Sequence, residues 1–447
     1  MLVHCIINYV RTKNVGGILM RNKGTSVVLI FLLVSILASA VEITAWVTYG
    51  GVMGNILKDL IETDFTPKTG ITVNYEPYII DGSYFMKVLL AVATGDAPDV
   101  MTLGAAQVVD LAVRNALVDL SAFPDFDEAV KDIYPGALRT LNFKDHIYGL
   151  PFELGWTIAY YRTDMFSDYG LTPPNTWDEL KRIIPKVQAQ GKTAWISTIG
   201  NTTDGQVRAF FPFIYQRNSD IFTEDGLRSN LDSKEAQEAF TEFTSFYTDL
   251  NMPLEMPEVQ AFSDGEMPYM VSLNYLYSML TRGKPQLLGK WGVTQVPGTP
   301  QPDGSINRYV PLSSFAFAIP NNKDPKKVEA SWEFLKWIAS DEVQREFQKR
   351  IYESPEEWML VFGTKGTANP AIFRGDDFKI IDNALKESQG PKAVVGGYQT
   401  YRYIGFAFSK TVMQNQDPKK MILEAAKESN TELQRKQKEF ARFVEKL

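Results

Sequence analysis

Hydrophobic and polar positions change period repeatedly along the chain. Val41–Val47 (VEITAWV) is β-rich, Gly50-Gly51 interrupts it, a helical spacing predicts a helix over about 53–65, and Ile71–Tyr75 is strand-like again. Strand, helix and strand at this spacing predict a βαβ unit and a parallel sheet. Phe85–Thr94 reads as a helix ended by Gly95, Asp99–Gly104 as a short buried strand, and 105–115 as a helix closing at Asn115.

A second set starts near residue 155. Thr157–Tyr161 is strand-like, and Thr176 with Glu179 forms the start signal in which Thr caps a helix and Glu reaches back to the cap. Lys192–Ile199, Met267–Leu273 and 291–297 read as strands, and Asp232–Leu250 as a helix with Ala239, Phe243, Phe246 and Leu250 on one face. Residues 298–307 (GTPQPDGSIN) read as a polar loop and a plausible boundary. After SSFAFAIP, Asp324-Pro325 opens a helix carrying Val328, Trp332, Leu335 and Ile338, and Asp417-Pro418 opens a polar one running to Leu447. No repeat or low-complexity tract interrupts this α/β rhythm.

The first 40 residues follow another logic. Arg21 and Lys23 precede an apolar run from Val27 to Leu37, then Ala38-Ser39-Ala40, the pattern of a secretory signal peptide cleaved after Ala40. Residues 1–19 precede a natural start at Met20 and read as a non-native extension, and no later stretch is long and apolar enough to span a membrane.

Composition sharpens this picture. At 447 residues, 45% hydrophobic, the chain can fill the cores of two or three domains. A net charge of −7 offers no basic footprint for nucleic acid, and losing residues 1–40, which hold four bases and no acid, would make it −11. Cys5 and His4 go with that segment, leaving His146 and no Cys. Disulfides, thiolate metal sites, cysteine nucleophiles and attachment through a lipidated Cys are thereby excluded, and no metal or cofactor is expected.

The remaining chemical candidates are few. YGGVMG (49–54) follows a strand and opens a helix but lacks the dinucleotide-binding glycine spacing; its glycines instead let a ligand approach backbone amides at a helix start. Acidic clusters at Asp96/Asp99, Asp125/Asp127/Glu128 and Glu356/Glu357 read as solvated surface, because a glycosidase needs carboxylates facing each other across a cleft. His146 reads as a turn residue, and the Asn201-Thr202-Thr203 sequon is discounted. Aromatic residues make up 12% of the chain. Several (Trp46, Tyr49, Trp156, Tyr275, Tyr277, Tyr398, Tyr401, Tyr403) sit in polar or glycine-containing surroundings, where flat rings suit the face of a pyranose.

These features resemble the extracellular solute-binding proteins of ABC importers, in the maltose- and oligosaccharide-binding class. MKVLLAVATGDAPDV (86–100) and IYGLPFELGWTIAYYRTDMFSDYGLTPPNTWDEL (147–180) are the most specific segments, with VEITAWVTYGG, ALVDLSAF, DGEMPYMVSLNYLY and SWEFLKWIAS in support. Tyr161–Asp164, Asn274 and Ser313-Ser314 depart from the family pattern, and Glu353–Gly375 fits it poorly. The resemblance implies a two-lobed, hinged periplasmic-binding-protein fold of type II, each lobe a mainly parallel sheet flanked by helices. Residues 41–152 and 311–365 would form the N-terminal lobe, and 153–310 and 366–447 the C-terminal lobe, with crossings at 151–155 and near 308–313. Ligand contacts would fall on Thr48, Tyr49, Gln107, Glu153, Trp156, Asn274, Tyr275, Tyr277, Tyr398 and Tyr401. The implied protein is an extracytoplasmic or periplasmic monomer that binds a carbohydrate and delivers it to membrane permease subunits by hinge closure, without catalysis. A receptor of this fold for a phosphorylated polyol, polyamine or peptide, a receptor feeding a sensor kinase, and a carbohydrate-active enzyme remain as alternatives.

Overall fold

The computed structural model describes residues 41–79, 82–196, 203–321, 324–355 and 362–444. The readings made for residues 1–40, 197–199, 201–202 and 356–357 lie outside the described residues. In chain order the first elements are β1 (Glu42–Val47), α1 (Gly51–Leu60, prolonged to Thr69), β2 (Thr72–Pro77), α2 (Gly82–Thr94), β3 (Val100–Gly104), α3 (Ala105–Ala112) and the short α4 (Pro135–Arg139). A hairpin, β4 (Asn142–Phe143) and β5 (His146–Ile147), precedes the long β6 (Leu150–Arg162). Then come α5 (Trp177–Gln188), β7 (Ala194–Ile196), α6 (Thr203–Tyr215), α7 (Lys234–Thr248), β8 (Tyr269–Leu273), α8 (Tyr275–Gly283), β9 (Trp291–Thr294), β10 (Thr299–Pro300), β11 (Ile306–Asn307) and β12 (Val310–Ala318). The last are α9 (Pro325–Ile338), α10 (Asp341–Glu353), α11 (Asp377–Lys386), β13 (Ser388–Gln389), α12 (Gly397–Gln414) and α13 (Pro418–Val444).

The expected caps close as hydrogen bonds. Thr176 Oγ1 accepts the Glu179 N–H at 3.2 Å, while Glu179 reaches one residue beyond the cap to the Asn175 N–H at 2.6 Å. Asp324 accepts from the Lys326 N–H at 2.9 Å and Asp417 from the Lys420 N–H at 2.7 Å, each ahead of a proline that needs no donor partner.

The principal sheet runs β2-β1-β3-β12-β6-β8-β7, with β13 beside β12 and β9 beside β6. It falls into two half-sheets. β1, β2 and β3 are parallel in one, and β7 and β8 in the other. β6 and β12 run antiparallel and belong to both: β6 pairs with β12 over Leu150–Trp156 and with β8 over Thr157–Tyr161, while β12 pairs with β3 through its last four residues. A break in register between Phe315 and Ala316 leaves Phe152 as an extra residue in β6, a bulge that turns the ribbon between the halves.

Separate cores flank these halves. Trp46, Val108, Leu111 and Ala316 share one, Trp177, Phe210, Phe213, Phe243 and Phe246 a second, and Leu154, Trp156, Ile158, Tyr160 and Leu312 a third behind the ribbon. The Trp177 and Phe213 rings stack at 4.3 Å. At roughly 25 cal/mol per Å² of apolar surface, burial of this kind is the principal stabilising term in a chain whose described part has no cysteine.

Three expectations need correction. Asp99 is buried, not solvated: its Oδ2 accepts the Thr44 N–H at 2.8 Å and meets Lys327 Nζ at 3.0 Å. His146 is the first residue of β5 rather than part of the turn, which Lys144 and Asp145 make with positive φ, and its Nδ1 lies 2.7 Å from Asp119 Oδ2. Residues 298–307 are not a free loop; β10 and β11 form a small hairpin whose Gly298 carbonyl accepts the Trp177 N–H at 3.3 Å. Asp125 is instead a surface partner, bonded to Trp332 Nε1 at 2.8 Å and Lys336 at 2.6 Å.

Gly136 on α4 has no room for a side chain, because a Cβ there would lie 2.2 Å from the Ser388 carbonyl oxygen. G136A is expected to lower the urea midpoint, corresponding to about 1–3 kcal/mol of overpacking, even though alanine favours helix more than glycine does.

Candidate functional site

The ribbon of β6 and β12 has two unlike faces. Cross-strand pairing puts Glu153 opposite Phe315 and Gly155 opposite Ser313, so these four side-chain positions share one face. All four are partly exposed, whereas Leu154, Trp156, Leu312 and Ser314 on the other face are buried. The exposed face is an open floor between the two half-sheets.

One side of this floor is built by the turn after β1. Tyr49 is 5% exposed, and its hydroxyl donates to Glu153 Oε2 at 2.6 Å. Tyr75 on β2 fixes the turn by donating its hydroxyl to the Tyr49 carbonyl at 2.6 Å. Gly54 is required below it: a Cβ would stand 2.6 Å from the same carbonyl oxygen. Thr48, half-buried, precedes Tyr49 in this turn. Gln107, at the first turn of α3, accepts the Gly104 N–H through Oε1 at 2.9 Å. Gly104 pairs with Phe315, which brings Gln107 to the edge of the floor.

The opposite side comes from α6 and α12. Arg208 Nη1 donates to Ser313 Oγ at 3.2 Å, and Ser313 in turn donates to the Gly155 carbonyl at 3.2 Å. A Cβ on Gly155 would meet Ser313 Oγ at 2.8 Å, so this position stays bare. One turn on, Phe211 meets the Tyr401 ring at 5.8 Å, and Tyr401 meets Tyr398 at 6.0 Å. Tyr398 is 55% exposed.

The other expected contacts sit elsewhere. Trp156 is 1% exposed on the hidden face, where it borders a cavity of about 10 Å³, the size of one water, into which no ligand ring fits. Tyr277 is also buried; its hydroxyl donates to Asp377 Oδ2 at 2.8 Å and its ring packs edge-on against Trp291 and Phe373. Asn274 spends its amide on the ribbon, accepting the Trp156 N–H at 3.2 Å and donating to the Leu154 carbonyl at 3.3 Å. Those bonds replace ladder rungs just where β6 leaves β8 for β12. Tyr275 lies behind them with its hydroxyl 3.4 Å from Glu258.

Sequence reading missed Arg208 and Phe315. Arg208 is the one base within the apolar run VRAFFPFIY, a local exception to the pattern that could have drawn notice.

Burial pushes the Glu153 carboxyl above the usual carboxylate range, opposed by the hydrogen bond from Tyr49. The Tyr49 phenol is pushed up by burial first and by the Glu153 charge second, so it stays a proton donor. The floor thus carries a carboxyl group at one end and a guanidinium at the other.

Two half-sheets joined by crossing strands over an open polar floor define a two-lobed solute-binding protein. The chain belongs to the bacterial extracellular solute-binding proteins, whose family model matches residues 61–353. It is 25% identical over 287 residues to a Brucella abortus protein described only as a binding protein, covering 62% of this chain and 67% of that one. It is 33% identical over 84 residues to the mannitol-binding protein of Pseudomonas aeruginosa, covering 18% of this chain and 19% of that one. The sugar-binding protein MalE from Xanthomonas citri shares the fold with a TM-score of 0.75 at 17% identity, over 90% of this chain and 99% of that one. Among the described residues no helix is long and apolar enough to cross a membrane.

The raised Glu153 carboxyl has a testable sign. The folded state holds this proton more tightly than the unfolded chain, whose Glu titrates near about 4.3, so folding stability falls as pH rises from there through the folded midpoint. E153Q is expected to unfold at an equal or higher urea midpoint than the parent at pH 7, with the difference vanishing below about pH 4. A lower midpoint for E153Q at pH 7 would contradict the burial cost.

Proposed function

We propose that the protein is an extracytoplasmic receptor that captures a carbohydrate, an oligosaccharide or a smaller polyol, between two lobes and delivers it to the permease subunits of an ABC importer. The observation that carries this reading is the open ribbon face, where the Tyr49–Glu153 pair approaches from one half-sheet and Arg208 with the Tyr401 and Tyr398 rings from the other. Hydroxyls need paired donors and acceptors and sugar rings need flat apolar faces; this floor supplies both. Among the described residues, Glu153 and Arg208 give this floor charges of opposite sign, which favours a ligand without net charge over the same-fold alternatives. A phosphorylated ligand calls for several uncompensated cations, and a polyamine for several uncompensated carboxylates. The sugar-binding and mannitol-binding names of the relatives support the same class.

In this reading the lobes are 41–152 with 311–365 and 153–310 with 366–447, and closure follows from a ligand that contacts both better than either alone. Thr48, Tyr49 and Gln107 bind from the first lobe and Arg208, Tyr398 and Tyr401 from the second, with Glu153 at the crossing where the second begins; Asn274, Tyr275, Tyr277 and Trp156 support the floor from behind. The protein acts as a monomer, makes and breaks no bond, uses no cofactor, and reaches the periplasm by cleavage after Ala40.

A thermal-shift screen over monosaccharides, oligosaccharides and sugar alcohols tests the reading, because a ligand at 100 times its Kd stabilises by about 2.7 kcal/mol. For the best hit, R208A and E153Q are each expected to weaken calorimetric affinity at least about tenfold, or 1.4 kcal/mol. Silence across the whole screen, or release of new reducing ends from an oligosaccharide, would overturn the proposal.

A further inference from the structure

Three strands set one row of residues across the floor. Phe315 on β12 lies opposite Gly104 of β3 on one side and Glu153 of β6 on the other, and residues paired in this way project to one face. Strands lie about 4.8 Å apart, so the row spans about 10 Å, room for a sugar ring. Its centre carries an aromatic ring and its β3 end carries no side chain. A Cβ on Gly104 would stand 3.8 Å from Phe315 Cε1 and 3.7 Å from Gln107 Oε1, so the Phe315 ring and the Gln107 amide converge over this glycine. Phe317, two residues on along the same face of β12, makes the contrast. It is fully buried, with its ring centroid 5.2 Å from that of Phe152 and 6.1 Å from that of Phe334. Phe315 lies beyond the reach of that core: it is partly exposed and has no ring partner among the described residues.

Polar groups flank this ring on both sides, each held by one atom. Tyr49 donates to Glu153 Oε2 at 2.6 Å, and the Gly104 N–H donates to Gln107 Oε1 at 2.9 Å. The second atoms of these groups, Glu153 Oε1 and Gln107 Nε2, have no hydrogen-bond partner among the described residues. The side chains are thus fixed in place while keeping bonding capacity for a guest. An apolar ring between two such groups matches a pyranose, which has a flat C–H face and hydroxyls around its edge. A linear sugar alcohol carries the same hydroxyls but has no such face, and it must give up internal rotations to present them.

We infer that Phe315 is a stacking platform that makes the floor selective for a pyranose ring over an acyclic sugar alcohol, with Glu153 and Gln107 bonding hydroxyls at opposite edges of that ring. The inference rests on the carbohydrate reading above and narrows it from sugars and polyols to cyclic sugars. Gly104 belongs to the same device, because a side chain there would fill the space beside the platform.

Calorimetry compares two sets of probes: the methyl pyranosides of glucose, galactose and mannose, maltose and any further cyclic hit of the thermal-shift screen, against glucitol, galactitol and mannitol. The parent is expected to bind its best cyclic sugar at least about tenfold more tightly than any of the alcohols. F315A should weaken that sugar at least about tenfold while changing the affinity for the alcohols less than about threefold. F315Y, which keeps the ring, should stay within about threefold of the parent; a loss through altered packing would strike both sets of probes alike. Melting temperatures and circular dichroism spectra establish that each variant is folded, and F315L, nearer in volume, stands in for F315A if that variant does not fold. Equal affinity of F315A or F315L and the parent for the cyclic sugar, or an alcohol bound more tightly than every cyclic probe, would overturn the platform. If R208A still weakens that ligand, the capture reading survives alone. No binding of any probe by the parent would remove both.

Discussion

The antiparallel pairing of β6 with β12 is the constraint on which the site depends. Two strands that each belong to both half-sheets must present one face to the cores and another to the space between them. The alternation of side chains along a strand then decides which residues a ligand can reach. Glu153, Gly155, Ser313 and Phe315 are reachable for that reason, and the bulge at Phe152 shifts the alternation of the strand before it resumes at Glu153. Tyr49 and Arg208 matter because each ties a side wall to this ribbon by a hydrogen bond. The floor is thus set by backbone register, and the walls are attached to it by side chains.

Much of the architecture was legible from period alone. The βαβ series, the helix stops at Gly95 and Asn115 and the caps at Thr176, Asp324 and Asp417 all lie where spacing put them, because local rules and tertiary packing agree there. Helices α8, α11 and α12 were not read, since α12 opens with GYQTYRY, a sequence of glycine and aromatics with weak helical preference, and takes its stability from packing on α6 and α13.

The site was legible in part, and the error has a physical source. Tyr49, Glu153 and Gln107 gather at one side of the floor as the resemblance implies, but Trp156 does not join them. A strand that offers Glu153 and Gly155 to one face must turn Trp156 to the other, and PFELGW contains that parity. Flanking residues on both faces of β6 are apolar, so hydrophobicity could not say which face was open; the two non-apolar positions, two residues apart, could. Asn274 and Tyr277 were misjudged differently. Their amide and hydroxyl look available in sequence, yet distant partners, Trp156 with Leu154 and Asp377, already hold them.

The position of β12 within the chain carries a consequence for how the protein assembles. β3 is made by residue 104, but the neighbour that covers its free edge is completed only at Ala318. Until then the first half-sheet presents Val100–Leu103 as an unpaired, apolar edge, the kind of strand that recruits foreign partners. Closing so long a loop is slow, because the entropy is spent before the contacts form. The chain therefore gains most from delaying the fold of this first half-sheet until β12, which ends at Ala318, is available to cover the edge.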